Sequence, residues 1–315
     1  MIAGRAAPDA STLFAFVAVA VLGGVNAIAV KVSVDELDPA WSAALRFAAA
    51  GLLLVAVVLA TRRSFPRGRS FAGAAVYGAI AFSASFAAIT PALRDVPAGT
   101  AVVFLALVPL ETFGLAILQR QERFHIQGLV GAVIALGGVL VVAADQLNAA
   151  VPLGSLLLVL LGSLFIAQGS ITLKAIPRAD PFATNAVAML TGAALLLAVS
   201  MASGETWAVP SRQVTWAALA YLVAFGSIVL FGLYLFALRR WTASALSYVT
   251  LFMPLVTVPL AAALLSEVIS PSFLAGGAIA LVGVYVGAFL KIRPQRSSAT
   301  SLPECLPIDA CAEPR

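Results

Sequence analysis

Long apolar runs recur along nearly the whole chain, and each is about the length that a helix needs to cross the hydrocarbon core of a bilayer. Ten runs can be placed, at 12–31, 40–60, 71–91, 98–118, 126–143, 153–174, 181–202, 214–237, 243–265 and 271–290. Hydrophobic residues make up 62% of the chain and charged residues only 10%, which excludes an ordinary soluble protein. Barrel strands would alternate apolar and polar residues over about ten positions. The sequence therefore predicts an all-α integral membrane protein with ten transmembrane helices.

The distribution of Lys and Arg predicts the orientation of these spans, because basic residues concentrate in cytoplasmic loops. Ten spans place both termini on one side. With the termini inside, fifteen basic residues are cytoplasmic and three, Lys31, Arg94 and Arg212, lie outside. We therefore expect a multi-pass protein of a bacterial-type inner (plasma) membrane with both termini cytoplasmic. The first span could instead be a cleaved signal peptide, but its apolar stretch is longer than a typical signal sequence has.

The polar ends and the few metal-binding residue types offer little chemistry. Residues 1–11 form the expected cytoplasmic N-terminus, and residues 291–315, rich in Ser, Pro and Thr, form a cytoplasmic tail that we expect to be disordered. His125 is the single histidine, and the two cysteines, Cys305 and Cys311, lie in the tail. We expect no metal, no cofactor and no catalytic group. The net charge of +5 lacks a basic patch with interleaved aromatic residues, so no nucleic-acid partner is expected.

An internal repeat divides the chain into two halves of five spans, at 12–143 and 153–290. Shifting the chain by 145 residues aligns 93–142 with 238–287 without a gap, and seventeen of the fifty positions are identical. The matches include Arg94 with Arg239 and Glu122 with Glu267. Five is odd, so the second copy enters the membrane from the opposite side. Inverted repeats predict a binding site near the midplane and alternating access.

Several motifs resemble those of EamA-type proteins in the drug/metabolite transporter superfamily. That family's motifs are resembled by three parts of the chain. They are the first-helix stretch 24–26 followed by Lys31, the Arg46-Phe47 pair, and the segment from Pro109 to Glu122, which is repeated from Pro254 to Glu267. The resemblance covers essentially residues 12–290. It implies that each half is an EamA-like unit and that the protein exports or facilitates the movement of amino acids, aromatic ones included, or other small metabolites.

Two ionisable residues lie well inside predicted spans, where a charge is costly and by default functional. Arg46 lies about 10 Å and Glu111 about 20 Å along their helices from the outer end, at about 1.5 Å per residue. For Arg46 we expect either a coupling role or a structural one. In the structural role its side chain would extend to the outer membrane–water interface. For Glu111 we favour a substrate-binding or proton-coupling role over a buried structural pair. Its repeat mate is Val256, so the repeat does not require a carboxylate there.

Uncharged polar residues and prolines complete the candidate site. Asn26 and Gln168 lie at comparable heights in the two halves and could bind a zwitterion, although hydrogen bonding between helices explains them nearly as well. Pro109 and Pro254 are candidate kinks or hinges in matching positions. The further substrate-binding candidates are Thr112, Ser163, Ser227, Tyr234 and Tyr248.

These features favour a secondary transporter that exports small organic metabolites, most of all amino acids. A broader drug, metabolite or nucleotide-sugar facilitator is the alternative within transport, and a channel or a membrane-embedded enzyme is the alternative outside it. Gly283 and Gly287 form a GxxxG pair that could mark a dimer face, but packing within one chain is the commoner explanation. We therefore expect a monomer whose partners are the lipid bilayer and a small-molecule substrate.

Overall fold

A computed structural model of the protein describes residues 10–121, 126–148, 150–177, 179–241 and 243–289. Within these ranges every regular element is helical. The α-helices are α1 (Ala10–Val34), α2 (Pro39–Ala60), α3 (Arg69–Tyr77), α4 (Ser85–Ala92), α5 (Ala98–Leu105), α6 (Val108–Leu118), α7 (Ile126–Asn148), α8 (Leu153–Ala175), α9 (Pro181–Ala202), α10 (Gln213–Val223), α11 (Leu230–Leu238), α12 (Ala243–Ser247), α13 (Val249–Leu265) and α14 (Pro271–Phe289). Two π-helical segments, Gly78–Ala84 and Ala224–Val229, join α3 to α4 and α10 to α11.

These elements assemble into the ten predicted spans. Eight helical stretches in the described residues are long and apolar enough to cross a membrane, and the shorter apolar helices α13 and α14 supply the ninth and tenth. Four spans are composite: the third and the eighth each contain a π-helical segment, and the fourth and the ninth are each split into two helices. The predicted all-helical, ten-span fold is confirmed.

Helices of one half pack on their counterparts in the other half, as a pseudo-two-fold axis requires. The most extensive pairings join α7 to α14 and α2 to α9. Glycines permit the first pairing: a Cβ on Gly138 would lie 2.3 Å from the Ala280 nitrogen, and one on Gly283 would lie 2.2 Å from the Ala135 nitrogen. Gly283, the first residue of the GxxxG pair, therefore packs within the chain, where small residues let two helix backbones approach closely.

Carboxylates fix the starts of several helices, because a side-chain oxygen can accept from backbone N–H groups that lack a partner in the first turn. Asp180 caps its own helix, α9, by accepting from the backbone nitrogens of Phe182 and Ala183. Its repeat mate Asp38 makes no such cap on α2. Glu205 of the other half accepts from Ala40 N and Trp41 N at 3.0 and 2.8 Å instead. The first turn of α2, in the first repeat, is therefore hydrogen-bonded to a residue of the second repeat.

Glu267 also caps across the two repeats. We expect from the sequence that Glu122 and Glu267 cap the helix that follows each of them. Glu267 instead accepts from the backbone nitrogens of Ala98 and Gly99 at 2.6 and 3.1 Å, at the start of α5. The next helix, α14, begins with the Ser270 hydroxyl accepting from Phe273 N at 2.9 Å. Glu122 lies outside the described residues, as do His125 and the tail with both cysteines.

Candidate functional site

Arg46 is the centre of a buried polar cluster between the two repeats. Its side chain projects from α2 and is only 2% exposed. Its Nε donates to Ser227 Oγ at 2.8 Å, and its Nη2 donates to Asn26 Oδ1 at 2.9 Å and to the Gly226 carbonyl oxygen at 2.7 Å. The structure thus brings together three residues that the sequence analysis singles out, on the first, second and eighth spans.

Two aromatic rings cover the guanidinium group of Arg46. The Cζ atom lies 4.8 Å from the Phe47 ring centroid and 5.2 Å from that of Phe86 on α4. A cation over an aromatic face is attracted by about 0.5–2 kcal/mol, more when water is excluded. The rings and the three neutral acceptors disperse the charge without neutralising it.

No carboxylate pairs with Arg46 among the described residues. The ion pairs there, which join Lys31 with Asp35, Arg63 with Asp180, Arg94 with Asp38, and Arg212 with Glu36, all lie at span ends. The Nη1 atom of Arg46 is buried and has no hydrogen-bond partner in the described part of the chain. An unsatisfied charged donor in a low-dielectric interior is costly. The site therefore has an unused hydrogen-bonding position that a negatively charged ligand can fill.

The matching place in the other repeat has no such cluster. The offset that relates Asp38 to Asp180 places Ala188 at the position of Arg46. There the π-helical segment of the third span packs backbone against backbone: a Cβ on Gly78 would lie 2.2 Å from the Ala188 carbonyl oxygen. Both repeats thus contain a π-helical segment, a feature frequent at functional sites. One of these segments lies against an arginine and the other against an alanine.

Glu111 forms a second contact between the repeats. It lies in the first turn of α6, just after the interruption at 106–107 that separates α5 from α6. Its Oε1 accepts from Ser163 Oγ on α8 at 2.7 Å. Its Oε2 and the Oγ1 of Thr112 are buried and have no hydrogen-bond partner in the described residues. The Glu111 carboxylate, like the Arg46 guanidinium, therefore has one atom without a hydrogen-bond partner in the described residues.

Two of the remaining candidates form hydrogen bonds with residues outside these two clusters. Gln168 accepts from Gln119 Nε2 at 2.7 Å, and the Tyr234 hydroxyl shares a hydrogen bond of 2.7 Å with Ser170. Tyr248 lies at the junction between α12 and α13. Their roles in binding stay predictions.

The two prolines occupy different settings. Pro109 lies at the start of α6, directly after the break in the fourth span. Pro254 lies inside the continuous helix α13, and the break in the ninth span comes earlier, at Tyr248. The two halves therefore differ in shape at corresponding places, and the hinge role of both prolines stays a prediction.

The sequence analysis misses two contacts of Arg46 and, on α9, one further buried amide. Phe86 and the Gly226 carbonyl contact Arg46 only because the tertiary fold brings them there, and no motif marks them. Asn185, on α9, is 2% exposed and its Oδ1 has no partner in the described residues. The one sign of Asn185 in the sequence is that it is an amide residue within an apolar run.

The described cavities do not reach either cluster. One, of about 280 Å³, is lined by apolar residues of α5, α13 and α14 and by Ala106 at the break in the fourth span. The other, of about 140 Å³, lies between α8, α9 and α11 beside Lys174 and Arg239. Arg46 and Glu111 line neither of these two cavities, and the Nη1 atom of Arg46 and the Oε2 atom of Glu111 are buried.

The distal end of the molecule, defined by the loops at 35–38 and 203–212 and opposite to Ala10, holds the two repeats together. Glu36 accepts from Ser211 Oγ at 2.7 Å, from Arg212 Nε at 3.2 Å and from the Thr215 hydroxyl. Asp38 accepts from Thr206 N and Oγ1 at 2.8 and 2.7 Å. We call these bonds, together with those of Glu205, the distal latch.

Hydrogen bonds set the ionisation of two latch carboxyls. Bonds from Thr215 and Ser211 hold the pKa of Glu36 well below its ordinary value. Bonds from Arg94 and then Thr206 lower the pKa of Asp38. Hydrogen bonding to the charged form favours that form. Both carboxyls are therefore charged acceptors at neutral pH, which strengthens the latch.

Comparison with known proteins gives matches over most of the chain. Residues 10–144 and 153–288 each match the model of the EamA-like transporter family. An uncharacterised inner membrane transporter of Escherichia coli K12, YedA, is 30% identical over 281 residues, or 88% of this chain and 91% of that protein. A probable amino-acid metabolite efflux pump of Salmonella typhimurium LT2 is 26% identical over 298 residues, or 90% and 96% of the two chains. A solved crystal structure that is 20% identical covers 89% of this chain with a TM-score of 0.66, which shows a shared fold.

Proposed function

Because the chain belongs to the EamA-like transporter family, we propose that it is a secondary transporter that exports small organic metabolites, most of all amino acids. The similarity to a protein named as an amino-acid metabolite efflux pump supports this substrate class. The fifteen-to-three distribution of basic residues supports cytoplasmic termini, with the distal latch facing the periplasm. The use of Gly283 inside the chain supports a monomer as the transporting unit.

The observation that carries the proposal is that both intramembrane charges bond across the interface between the repeats. Arg46 and Glu111 belong to the first repeat, whereas Ser227 and Ser163 belong to the second. In an inverted-repeat transporter the substrate site lies at this interface near the midplane, and the repeats move against one another around it. Ionisable side chains are kept in such a place, despite their desolvation cost, when they serve transport.

This arrangement supports alternating access. In the present conformation the distal latch joins the repeats, and the unpartnered atoms of Arg46 and Glu111 are buried. Opening towards the periplasm requires the bonds of Glu36, Asp38 and Glu205 to break, together with the link between Arg46 and Ser227. Opening towards the cytoplasm leaves the latch intact and separates the repeats at the other end. A substrate bound at these clusters crosses the membrane when the protein changes from one of these two states to the other.

Transport by the purified full-length protein in liposomes tests the proposal. Liposomes loaded with unlabelled leucine or phenylalanine are expected to accumulate the labelled amino acid by exchange, at rates well above those of protein-free liposomes. A panel of neutral amino acids, a nucleotide sugar and a cationic drug defines the substrate class. The amino-acid proposal fails if the drug or the nucleotide sugar exchanges while every amino acid in the panel stays at the protein-free rate.

A further inference from the structure

We propose that the unused edge of Arg46, framed by Asn26 and Ser227, binds a carboxylate group of the transported substrate. This inference rests on the proposed function and narrows it, because it requires that the substrate carry a carboxylate rather than only an amine. The substrate class is then molecules with a carboxylate group, neutral amino acids among them.

A count of donors isolates the binding position. A guanidinium group has five N–H bonds, one on Nε and two on each terminal nitrogen. The Nε–H donates to Ser227, and Nη2 donates to both Asn26 Oδ1 and the Gly226 carbonyl. Both N–H bonds of Nη1 remain, and this atom is buried without a partner in the described residues. Because the other three bonds are made, they fix the orientation of the pair that is left.

The surroundings determine which ligand suits this pair. Each element packed against Arg46 presents a neutral group: Asn26 from α1, Phe86 from α4, and Ser227 and the Gly226 carbonyl from the π-helical segment. The titratable group that interacts with it electrostatically is Tyr221, a phenol whose hydroxyl donates to the Leu22 carbonyl at 2.9 Å. The local charge therefore stays positive until a ligand supplies an anion. Arginine and carboxylate groups match in charge and planar geometry, and such hydrogen bonds are about twice as strong as neutral ones.

The asymmetry of the repeats limits the site to one per chain. Ala188 occupies the place of Arg46 in the second repeat, and the backbones fill the space there. A Cβ on Gly226 would lie 2.3 Å from Asn26 Oδ1, so the two repeats are tightly packed beside Arg46. The ligand reaches Nη1 when the π-helical segment of the eighth span separates from α2, which couples binding to the movement of the repeats.

The variant Asn26→Asp tests the site with almost no change of volume. It places a carboxylate where Asn26 Oδ1 now accepts from Nη2 at 2.9 Å, and so supplies Arg46 with an internal counter-ion. We expect the affinity for L-leucine to fall at least about tenfold, which is about 1.4 kcal/mol. The affinity for L-leucinamide, which lacks the carboxylate, is expected to stay as it is. Calorimetric titration of the full-length protein in detergent, at low ionic strength and without sulfate or phosphate, measures both constants.

Asn185→Asp is the matched control. It is the same substitution at another buried position within a span, on α9. It imposes the general cost of a buried carboxylate and should leave the ratio of leucine to leucinamide affinity at the wild-type value. Arg46→Lys, which keeps the charge but loses the fork of donors, is expected to weaken leucine binding while leucinamide binding holds.

Three outcomes overturn the inference while leaving amino-acid transport intact. In the first, wild-type protein binds leucine and leucinamide equally. In the second, Asn26→Asp keeps the wild-type preference for leucine, or loses it no more than Asn185→Asp does. In the third, chloride protects the protein against thermal unfolding through Arg46 and leucine does not compete, which assigns the position to an inorganic anion. If no amino acid exchanges in liposomes and none binds, the proposed function itself has failed.

Discussion

The two charged side chains inside the spans bond to neutral groups, whereas several charges at span ends form ion pairs. Arg63 and Arg94 meet carboxylates at span ends, where water and lipid headgroups reduce the cost of a charge. Arg46 and Glu111 meet hydroxyl, amide and carbonyl groups instead. A neutral partner leaves the charge available to a substrate or to a proton. These two positions are therefore where single substitutions should change transport more than stability.

Glu111→Gln is expected to fold and to transport with a changed dependence on pH. Val256 occupies the equivalent position in the second repeat, so the scaffold accepts a neutral residue there. A glutamine keeps a hydrogen bond to Ser163 but cannot take up or release a proton. Exchange rates in liposomes, measured over a pH series for wild type and variant, check this. Ser163→Ala, which removes only the hydroxyl partner, should retain a pH response, and a wild-type profile in Glu111→Gln would show that proton coupling lies elsewhere.

The sequence identifies these residues but not how they meet. Ionisable groups in apolar runs are visible in any membrane protein sequence, and so are Asn26 and Ser227 as lone polar residues. Their association depends on the packing of the first, second and eighth spans, and Arg46 and Ser227 alone are 181 positions apart along the chain. Phe86 and the Gly226 carbonyl have no chemical signature in the sequence. The local sequence pattern therefore predicts which residues are candidates. Only the tertiary structure shows that Arg46 bonds to Ser227, another candidate, whereas Gln168 bonds to Gln119, which is not one.

Helix ends in this protein are stabilised largely from outside the helix. Lys31 donates to the carbonyls of Leu93 and Arg94 at the end of the third span. Lys174 donates to those of Leu238 and Trp241 at the end of the eighth. Cations near a helix C-terminus are favourable because its last carbonyl groups carry partial negative charge. The sequence shows both lysines as repeat mates, but it does not show that each reaches a different helix.

Glu36 should make the stability of the distal latch depend on pH. Its pKa is lowered by hydrogen bonds from Thr215 and Ser211, so its stabilising effect is fully present above its ordinary value of 4.5. That effect is lost as the pH falls below 4.5 towards the depressed value, because the unfolded state then binds the proton more readily. Thermal unfolding of wild-type protein between neutral and acidic pH should show this decline.

Glu36→Gln is expected to lower the melting temperature at neutral pH and to flatten the decline. The amide keeps the shape of the side chain but accepts fewer and weaker bonds from Ser211, Arg212 and Thr215. Asp35→Asn, a neighbouring substitution at a more exposed carboxyl, is the control and should change the profile less. Identical pH profiles for wild type and Glu36→Gln would show that Glu36 does not contribute to the stability of the protein through the latch.

The repeat also departs from symmetry at the level of elements. The π-helical segments occur in matching spans, whereas the break in the fourth span is at 106–107 and that in the ninth at Tyr248. A proline removes a backbone hydrogen bond but does not fix where a helix opens. The sequence thus predicts where helices are weak. Neighbouring helices, such as α8 beside α6, decide which weakness becomes a break.

At the scale of the whole molecule, the inverted repeat is the feature that the sequence predicts best. The count of five spans and the matched residues require a pseudo-two-fold arrangement, and the packing of α2 on α9 and α7 on α14 follows it. Two inverted copies that differ in conformation form an asymmetric whole, and exchanging those conformations reverses its direction of opening. Under the proposed alternating access, the distal latch belongs to one of these two states.

A disulfide across the distal latch should therefore stop transport. Thr206 lies in the loop of the second repeat, and its nitrogen and hydroxyl oxygen lie 2.8 and 2.7 Å from Asp38 Oδ2 of the first repeat, so the two side chains are neighbours. In a background with Cys305→Ser and Cys311→Ser, the pair Asp38→Cys and Thr206→Cys is expected to lose at least about tenfold in exchange rate on oxidation. That factor is the size of effect expected when the binding-competent state falls to about a tenth of its population. Reduction should restore the rate.

A disulfide within one repeat is the matched control. Ser33 and Ser42 both belong to the first repeat, and their hydroxyl oxygens lie 2.9 Å apart. Ser33→Cys with Ser42→Cys should crosslink as readily, yet leave exchange near the uncrosslinked rate, because these two residues move together. Equal inhibition by both crosslinks would mean that movement within the first repeat limits transport. Undiminished transport by the oxidised latch variant would show that the distal end need not open, and alternating access between the repeats would be wrong.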